Sequence, residues 1–398
     1  MNYHTKASSH GHSVFSNLLV GNLSHWLSRH RPAVLAAAIA VTGINLQAQL
    51  PSWVTIDDKE FAHQYGKQAI SDDLKDQSSV AWMLFARVNQ PHPKNAVTWE
   101  MWPSNDDTFS PASPAFVAGN KVRTRPHLQE SKVQMIMQHA GHLNTPTSAG
   151  EEVTRNMIGY HYITSNKLNA ATSLWKRLSS GPALDFPIGA IEIKADWATG
   201  KHPGAYTNTA EDGTVLSLLG LHIMVKVAPT PSDSFHSESP SWFWTTFEFK
   251  GNPGWANSQT FITYRDALPR QDSLALLKPA GLSSGHFANY VCNGTQIRFS
   301  DAKNSLIILG NTTMENFSFT PANATSPADW KSWKVSCHSC HGTASANNTV
   351  PPGTKNGPGN LSINPYFFSN DVAGALPADI AKGGYKSFDF VWSFWRAR

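Results

Sequence analysis

The chain has 398 residues, of which 40% are hydrophobic and only 15% are charged, so it holds enough apolar material for a large buried core. Its formal net charge is +4, and Lys6, Arg29 and Arg31 supply three of these charges within a segment, 1–48, that contains no Asp or Glu. Elsewhere no basic run with interleaved aromatic residues occurs, and we therefore expect no nucleic-acid partner. No stretch of about 18 apolar residues predicts a membrane span in the mature chain.

The segment 1–48 has the pattern of an export signal. Arg29 and Arg31 precede an apolar run at 33–44, and Ala48 offers a small residue for cleavage. This pattern predicts that the segment is removed and that the mature protein is periplasmic or otherwise extracytoplasmic. Because the polar stretch before Arg29 is long for a signal, a short buried helix or an uncleaved anchor is the alternative.

The region 49–321 has the pattern of a β-rich domain. Runs of β-branched and aromatic residues, separated by clusters of Pro, Gly, Ser and Asn, predict strands. The predicted strands are 80–88, 188–197, 215–227, 242–249 and 305–309. Residues 128–139 and 171–178 are predicted helices that pack on this region.

The pattern changes near Ala322, where we place the start of a small helical C-terminal unit, 322–398. Ser326 is a suitable N-cap and Pro327 suits the first helical position, so a helix is predicted to begin there. Two sets of residues recur at helical spacing: Trp330, Trp333, Cys337 and His341 in this first helix, and Tyr385, Phe388, Trp392 and Trp395 in a second. A loop at 342–364 separates the two predicted helices.

Cys337-His338-Ser339-Cys340-His341 has the spacing C-x-x-C-H, the pattern by which haem is covalently attached in c-type cytochromes. Two thiols at this spacing on one helical turn can form thioether bonds with the two vinyl groups of a porphyrin. The histidine that follows then directs its imidazole at the iron. We predict one haem c per chain, attached through Cys337 and Cys340, with His341 as the proximal iron ligand.

Two other kinds of site share part of this pattern. A thioredoxin-like dithiol is expected in a βαβ setting, and no such pattern precedes Cys337. A zinc site needs a second ligand pair, and the sequence contains no other Cys-x-x-Cys. Cys292 stands outside the motif and is interpreted as a small buried side chain. We therefore favour haem over both alternatives.

The sixth iron ligand does not come from a Met or His after the motif, because residues 342–398 contain neither. Met314 is the preferred distal candidate, since the loop between it and the predicted haem helix can fold back without a costly long-range closure. His222 is the alternative, and His286 is a further histidine upstream. A Lys or Tyr ligand, or an open position, also stays possible, and each candidate is alternatively interpreted as an ordinary core residue.

Six segments carry a family resemblance: WEMW at 99–102, GAIEIK at 189–194, GLHI at 220–223, WTTFE at 244–248, NTTME at 311–315 and SCHSCH at 336–341. In these segments the chain resembles a group of large bacterial monohaem proteins known as cytochrome c family proteins. The resemblance implies an exported protein with a β-rich N-terminal region and a C-terminal haem segment. The predicted fold class is accordingly α+β, with a β-rich N-terminal region and a small helical C-terminal c-type haem-binding unit.

Three functions are compatible with these features. The first is single-electron transfer between periplasmic partners, with a redox protein as the partner. The second is a haem enzyme, peroxidase or oxygenase-like, whose N-terminal region forms a pocket over a five-coordinate haem. The third is a binding module that docks a partner enzyme. Glu192, Glu248 and Glu315 are interpreted as ion-pair or hydrogen-bond partners, so no catalytic residue is assigned.

Overall fold

The computed structural model describes residues 50–110, 116–117, 148–210, 212–227, 242–252, 262–298, 307–315, 336–342, 344–347 and 385–397. The chain divides into two units, Met1–Ser52 and Trp53–Arg398, and the fold and the site described below belong to the second. The predicted leader 1–48, the predicted helix 128–139, the helix start at Ser326 and the boundary near Ala322 lie outside the described residues.

Helices occur at the start of the second unit and between its strands. The described α-helices are α1 (Ser52–Thr55), α2 (Asp58–Ala69), α3 (Leu74–Val88), α4 (Asn105–Phe109), α5 (Met157–Ser165), α6 (Ala171–Ser180), α7 (Arg270–Leu277) and α8 (Cys337–Gly342). Short 3-10 helices span Thr98–Met101, Lys278–Ala280, His286–Asn289 and Trp392–Arg396. The predicted helix 171–178 is confirmed as α6. None of the helices in the described ranges is long and apolar enough to cross a membrane.

The run 80–88, predicted as a strand, is instead the second half of α3. The carboxylate of Asp73 caps this helix by accepting the backbone N–H of Lys75 at 2.8 Å. Almost every side chain from Val80 to Val88 is buried, so the run shows no polar stripe that would reveal a helix. A short apolar run cannot be assigned to a strand or to a buried helix from its periodicity alone, and this is why the prediction was wrong.

The described strands are β1 (Pro91–His92), β2 (Ala96–Val97), β3 (Ser148–Arg155), β4 (Ile191–Thr199), β5 (Thr207–Thr209), β6 (Val215–Lys226), β7 (Trp242–Phe249), β8 (Tyr290–Gln296), β9 (Ser345–Asn347) and β10 (Tyr385–Ser387). The main sheet is antiparallel and has the order β3-β4-β6-β7-β8, with β5 paired to β6. Two small antiparallel pairs, β1-β2 and β9-β10, accompany it. The described part of the chain therefore combines helices with antiparallel sheet, as the α+β prediction requires.

Three of the five predicted strands are confirmed, since β4, β6 and β7 coincide with 188–197, 215–227 and 242–249. β3 and β8 are rich in polar residues and glycine, and the sequence pattern does not reveal them. The predicted strand 305–309 is wrong in its described part, 307–309, which forms no strand. Ile308 instead makes two hydrogen bonds to Thr263, at 3.0 and 2.9 Å, as part of an irregular segment.

The two faces of the main sheet differ in chemistry. Ile193, Ile223 and Phe247 lie on the apolar face, in one hydrophobic cluster with residues of α2 and α3. Phe85 of α3 stacks on Phe247 with ring centroids 4.1 Å apart. Because side chains alternate along a strand, the neighbouring residues point to the opposite face. That face carries most of the charged and titratable side chains of the sheet, among them Arg155, Glu192, Lys194, His222, Lys226 and Glu248. Glu152, in contrast, lies on the apolar face, where it accepts the Nε1–H of Trp197.

The second face of the sheet is covered by the C-terminal part of the chain. Trp242 and Trp244 of β7 belong to the same buried cluster as Cys337 and Phe388. The predicted second helix through Tyr385 is wrong. β10 is followed by a turn at Asp389 and Phe390 and then by the 3-10 helix Trp392–Arg396. Phe388 and Trp392 are buried and Tyr385 is half-buried, and between them the Asp389 side chain bonds the turn to Lys226. The spacing of these aromatic residues therefore does not come from a helix.

Candidate functional site

The C-x-x-C-H motif forms the short helix α8 against the end of the main sheet. The backbone N–H of Cys337 donates to the Leu309 carbonyl at 3.1 Å, and that of Cys340 donates to the Ser336 carbonyl at 2.9 Å. Ser336 itself is not helical, so α8 begins at Cys337 and does not continue the helix predicted from Ser326. The Gln296 side chain of β8 accepts the N–H of His338 at 3.2 Å. The motif is therefore positioned by tertiary contacts with the sheet.

Cys337 and Cys340 are both buried, one helical turn apart, and neither is in a disulfide. Burial raises the pKa of the Cys337 thiol well above its usual range, the charges at Glu315 and Cys340 act in the same direction, and Lys194 opposes them. A reactive redox dithiol needs a lowered thiol pKa, which disfavours the thioredoxin-like alternative. Within the described ranges, no group of three or more His, Cys, Asp or Glu side chains is arranged to hold a metal ion.

The imidazole of His341 is oriented by a backbone carbonyl. Its Nδ1 lies 2.7 Å from the carbonyl oxygen of Phe390, and its ring centroid lies 4.4 Å from that of Trp244. A carbonyl oxygen can only accept, so Nδ1 carries the proton and the lone pair of the neutral ring is on Nε2. Histidines that bind a metal through Nε2 are commonly oriented by such a bond. The donor set of two thiols and an Nδ1-protonated imidazole fits a covalently attached haem.

His338, between the two cysteines, is a buried histidine that the motif pattern leaves without a role. Burial lowers its pKa to about 3, while hydrogen bonds to the backbone at Trp242 and Arg298 act in the opposite direction. Its ring centroid lies 5.9 Å from those of Trp244 and Phe390. The side chain is therefore a neutral component of the packing around the motif.

The two preferred distal candidates lie beside the same strand. Met314 is fully buried, and a Cβ built on Gly220 of β6 would lie only 3.0 Å from its methyl carbon. Gly220 is therefore required for the segment 307–315 to approach the sheet this closely. His222, two residues further along β6, is on the same face. His286, in contrast, is exposed at the start of a 3-10 helix.

His222 is paired with the residue next to Met314. Its Nε2 lies 2.7 Å from Oε1 of Glu315, and both side chains are buried. Within the described part of the chain, no hydrogen-bond partner is found for Nδ1 of His222. Burial raises the pKa of Glu315, but His222, Lys194 and the Asn311 backbone N–H outweigh it, so the pKa is lowered overall. Glu315 is consequently an anion in this buried position.

Lys194 and Glu151 extend this charged group toward the cysteines. Nζ of Lys194 lies 2.5 Å from Oε1 of Glu151. Burial lowers the pKa of Lys194, but the charges of Glu151, Glu315 and Cys340 outweigh it, so its pKa is raised overall. We call Glu151, Lys194, His222 and Glu315 the buried charge cluster. Its four members come from three different strands and one irregular segment, and no local sequence pattern connects them.

The three glutamates interpreted as structural are all bonded as expected. Glu192 pairs with Arg155 at 3.2 Å, and Glu315 pairs with His222. Glu248 is fully buried, and it accepts the side-chain N–H of Asn293 at 2.9 Å, the backbone N–H of Thr312 at 3.2 Å and the Thr312 hydroxyl. Burial raises the pKa of Glu248, and these hydrogen bonds oppose the shift. Glu248 thereby holds the segment that contains Met314 against β7.

Comparisons of the chain with protein-family models, with curated proteins and with solved structures found no match.

Proposed function

We propose that the protein is an exported c-type cytochrome that transfers single electrons between periplasmic partners. Cys337 and Cys340 would attach one haem covalently, and His341 would be the proximal ligand. The observation that carries the proposal is the bond from His341 Nδ1 to the Phe390 carbonyl, which fixes the imidazole as the Nδ1-protonated tautomer directly after the buried Cys340 of the motif. The haem supplies an iron that cycles between two oxidation states. The resemblance to large bacterial monohaem cytochromes supports the covalent haem and the export, and it implies no particular activity.

Electron transfer is favoured over catalysis because the sheet face that the motif covers carries two candidate distal ligands. Met314 and His222 lie on the face of the sheet that the motif covers, and either would complete a six-coordinate iron. The carboxylates of this face are already bonded to Arg155, His222 and neighbouring amides. They hold the surroundings of the motif in place, as expected for a carrier.

A haem enzyme is the second candidate, and the buried charge cluster favours it. A buried imidazole paired with a carboxylate is an arrangement that can move a proton to or from a bound small molecule. His222 and Glu315 form such a pair, and Nδ1 of His222 has no bonded partner among the described residues. In that case the iron would be five-coordinate and would bind peroxide or oxygen on its open side.

The visible and EPR spectra of the purified ferric protein separate these two functions. For a carrier we expect a low-spin spectrum that does not change when cyanide is added, and a ferrous form that does not bind carbon monoxide. These results follow from an iron whose two axial positions are both filled by the protein. A high-spin ferric spectrum that shifts at once with cyanide would contradict the carrier and support the enzyme.

Export is a separate expectation, because thioether attachment of haem takes place outside the cytoplasm. Deleting residues 1–48 should leave full-length mature chain in the cytosol with no covalent haem, as measured by haem staining on a denaturing gel. Replacing 1–48 with the signal of a periplasmic protein of the host should restore the stained band. Covalent haem on the truncated chain in an ordinary host would show that the localisation is wrong.

A further inference from the structure

The carbonyl that orients His341 belongs to an unusual turn. Asp389 and Phe390, which follow β10, have φ angles of 51° and 67°. These angles lie in the left-handed region, which side chains other than glycine rarely adopt, and Asp tolerates it better than Phe. Two successive residues in this region persist only when the surrounding structure holds them there.

The Asp389 carboxylate is what holds the turn against the sheet. It lies 3.0 and 2.9 Å from Nζ of Lys226, 2.7 Å from the backbone N of Phe186 and 3.2 Å from Nε1 of Trp242. Lys226 is itself buried, with 5% of its side chain exposed, and it also lies 2.9 Å from the largely exposed Asp185. Four donated hydrogen bonds from three parts of the chain therefore converge on one carboxylate.

The turn meets the motif at two points. The Phe390 carbonyl accepts from Nδ1 of His341 at 2.7 Å, and Nε1 of Trp392 donates to the Cys340 carbonyl at 3.0 Å. The direction of the Phe390 carbonyl depends on the backbone angles that Asp389 stabilises. A hydrogen bond to Nδ1 makes the imidazole a stronger donor to a bound metal, which favours the ferric state.

We propose that Asp389 is a positioning residue for the axial ligand: through Lys226 it holds the turn whose Phe390 carbonyl orients His341 and tunes the iron potential. The part that concerns the potential rests on the proposed function. The part that concerns the imidazole rests on the contacts of this chain alone.

The test compares Asp389→Ala, Asp389→Asn and Lys226→Met with wild type. In holoprotein we expect Asp389→Ala and Lys226→Met to raise the midpoint potential, by about a tenfold change in the ferrous to ferric ratio at a fixed ambient potential, or ~59 mV for one electron. Asp389→Asn should shift it less, since Asn keeps an acceptor oxygen and also tolerates the left-handed region. Because Asn is compatible with the turn, the midpoint potential can still be measured in Asp389→Asn if Asp389→Ala does not fold.

Asp58→Ala is the matched control. Asp58 is also a partly buried carboxylate, 2.9 Å from Arg87 and 2.8 Å from Nδ2 of Asn156. Its loss should lower the unfolding temperature in a similar way and leave the midpoint potential unchanged. Equal potentials in wild type and in all Asp389 and Lys226 variants, with lowered stability, would show that Asp389 is only structural and would overturn the proposal.

A second measurement works without haem. In the full chain produced without haem attachment, 15N NMR should show His341 as the Nδ1-protonated tautomer, and Asp389→Ala should shift the population toward the Nε2-protonated one. A wild-type chain that never acquires haem would contradict the proposed function, while this tautomer shift would still support the positioning role. An unchanged His341 tautomer in Asp389→Ala would overturn the positioning role whether or not haem is bound.

Discussion

Replacing both Cys337 and Cys340 with serine is expected to remove the covalent haem from the protein. Serine has nearly the same size, but its hydroxyl does not form the thioether bond that holds the porphyrin through denaturation. The measurement is haem staining on a denaturing gel after co-expression with a cytochrome c maturation system. The wild-type chain should give a stained band at its own mass, and the double variant should lose it.

Cys292 provides the control for this experiment. It is buried in β8, its thiol lies 3.4 Å from the Thr245 hydroxyl, and burial raises its pKa well above the usual range. It should carry no thioether, so Cys292→Ser should stain as wild type does. A purified wild-type protein that contains zinc and no haem would contradict the haem assignment. Staining that survives both motif substitutions would do the same.

The second large effect concerns the distal ligand, for which we expect Met314. A Met-ligated ferric haem has a weak charge-transfer band near the red edge of the visible spectrum, and Met314→Ala should abolish it. The sulfur is fully buried against β6, whereas Nε2 of His222 is already bonded to Glu315. A thioether ligand also favours ferrous iron and raises the potential, so losing Met314 should lower the potential if another ligand takes its place.

Met224 is the matched control for Met314. It is also buried, on the same face of β6 and in the same hydrophobic cluster as Cys337. Met224→Ala should leave the charge-transfer band in place while it lowers stability by a few kcal/mol, roughly the cost of a buried Met-to-Ala change. A band that is missing in wild type, or that survives in Met314→Ala, excludes Met314. His222→Ala is then the variant that tests the alternative ligand.

The local sequence pattern was sufficient to predict the strands that are rich in β-branched and aromatic residues. β6 and β7 are buried on both faces, so they are read as nearly continuous apolar runs, and their bounds are close to the predicted ones. A similar apolar run led to the wrong prediction of a strand at 80–88, because a helix that is buried on nearly all sides also has a nearly continuous apolar sequence. Aromatic spacing at the C-terminal end likewise resembled a helix, although Asp389 and Phe390 form a turn there.

The sequence by itself determined the prediction of haem attachment, because two thiols and an imidazole at the C-x-x-C-H spacing are close enough in the chain to serve one porphyrin. Only the tertiary structure decided what surrounds them. The Phe390 carbonyl lies 49 residues from His341, and Glu315 lies 93 residues from His222. Such pairs form because a charged or polar group that is buried away from water requires a bonding partner. The fold brings that partner from a distant part of the chain. No local pattern encodes that choice.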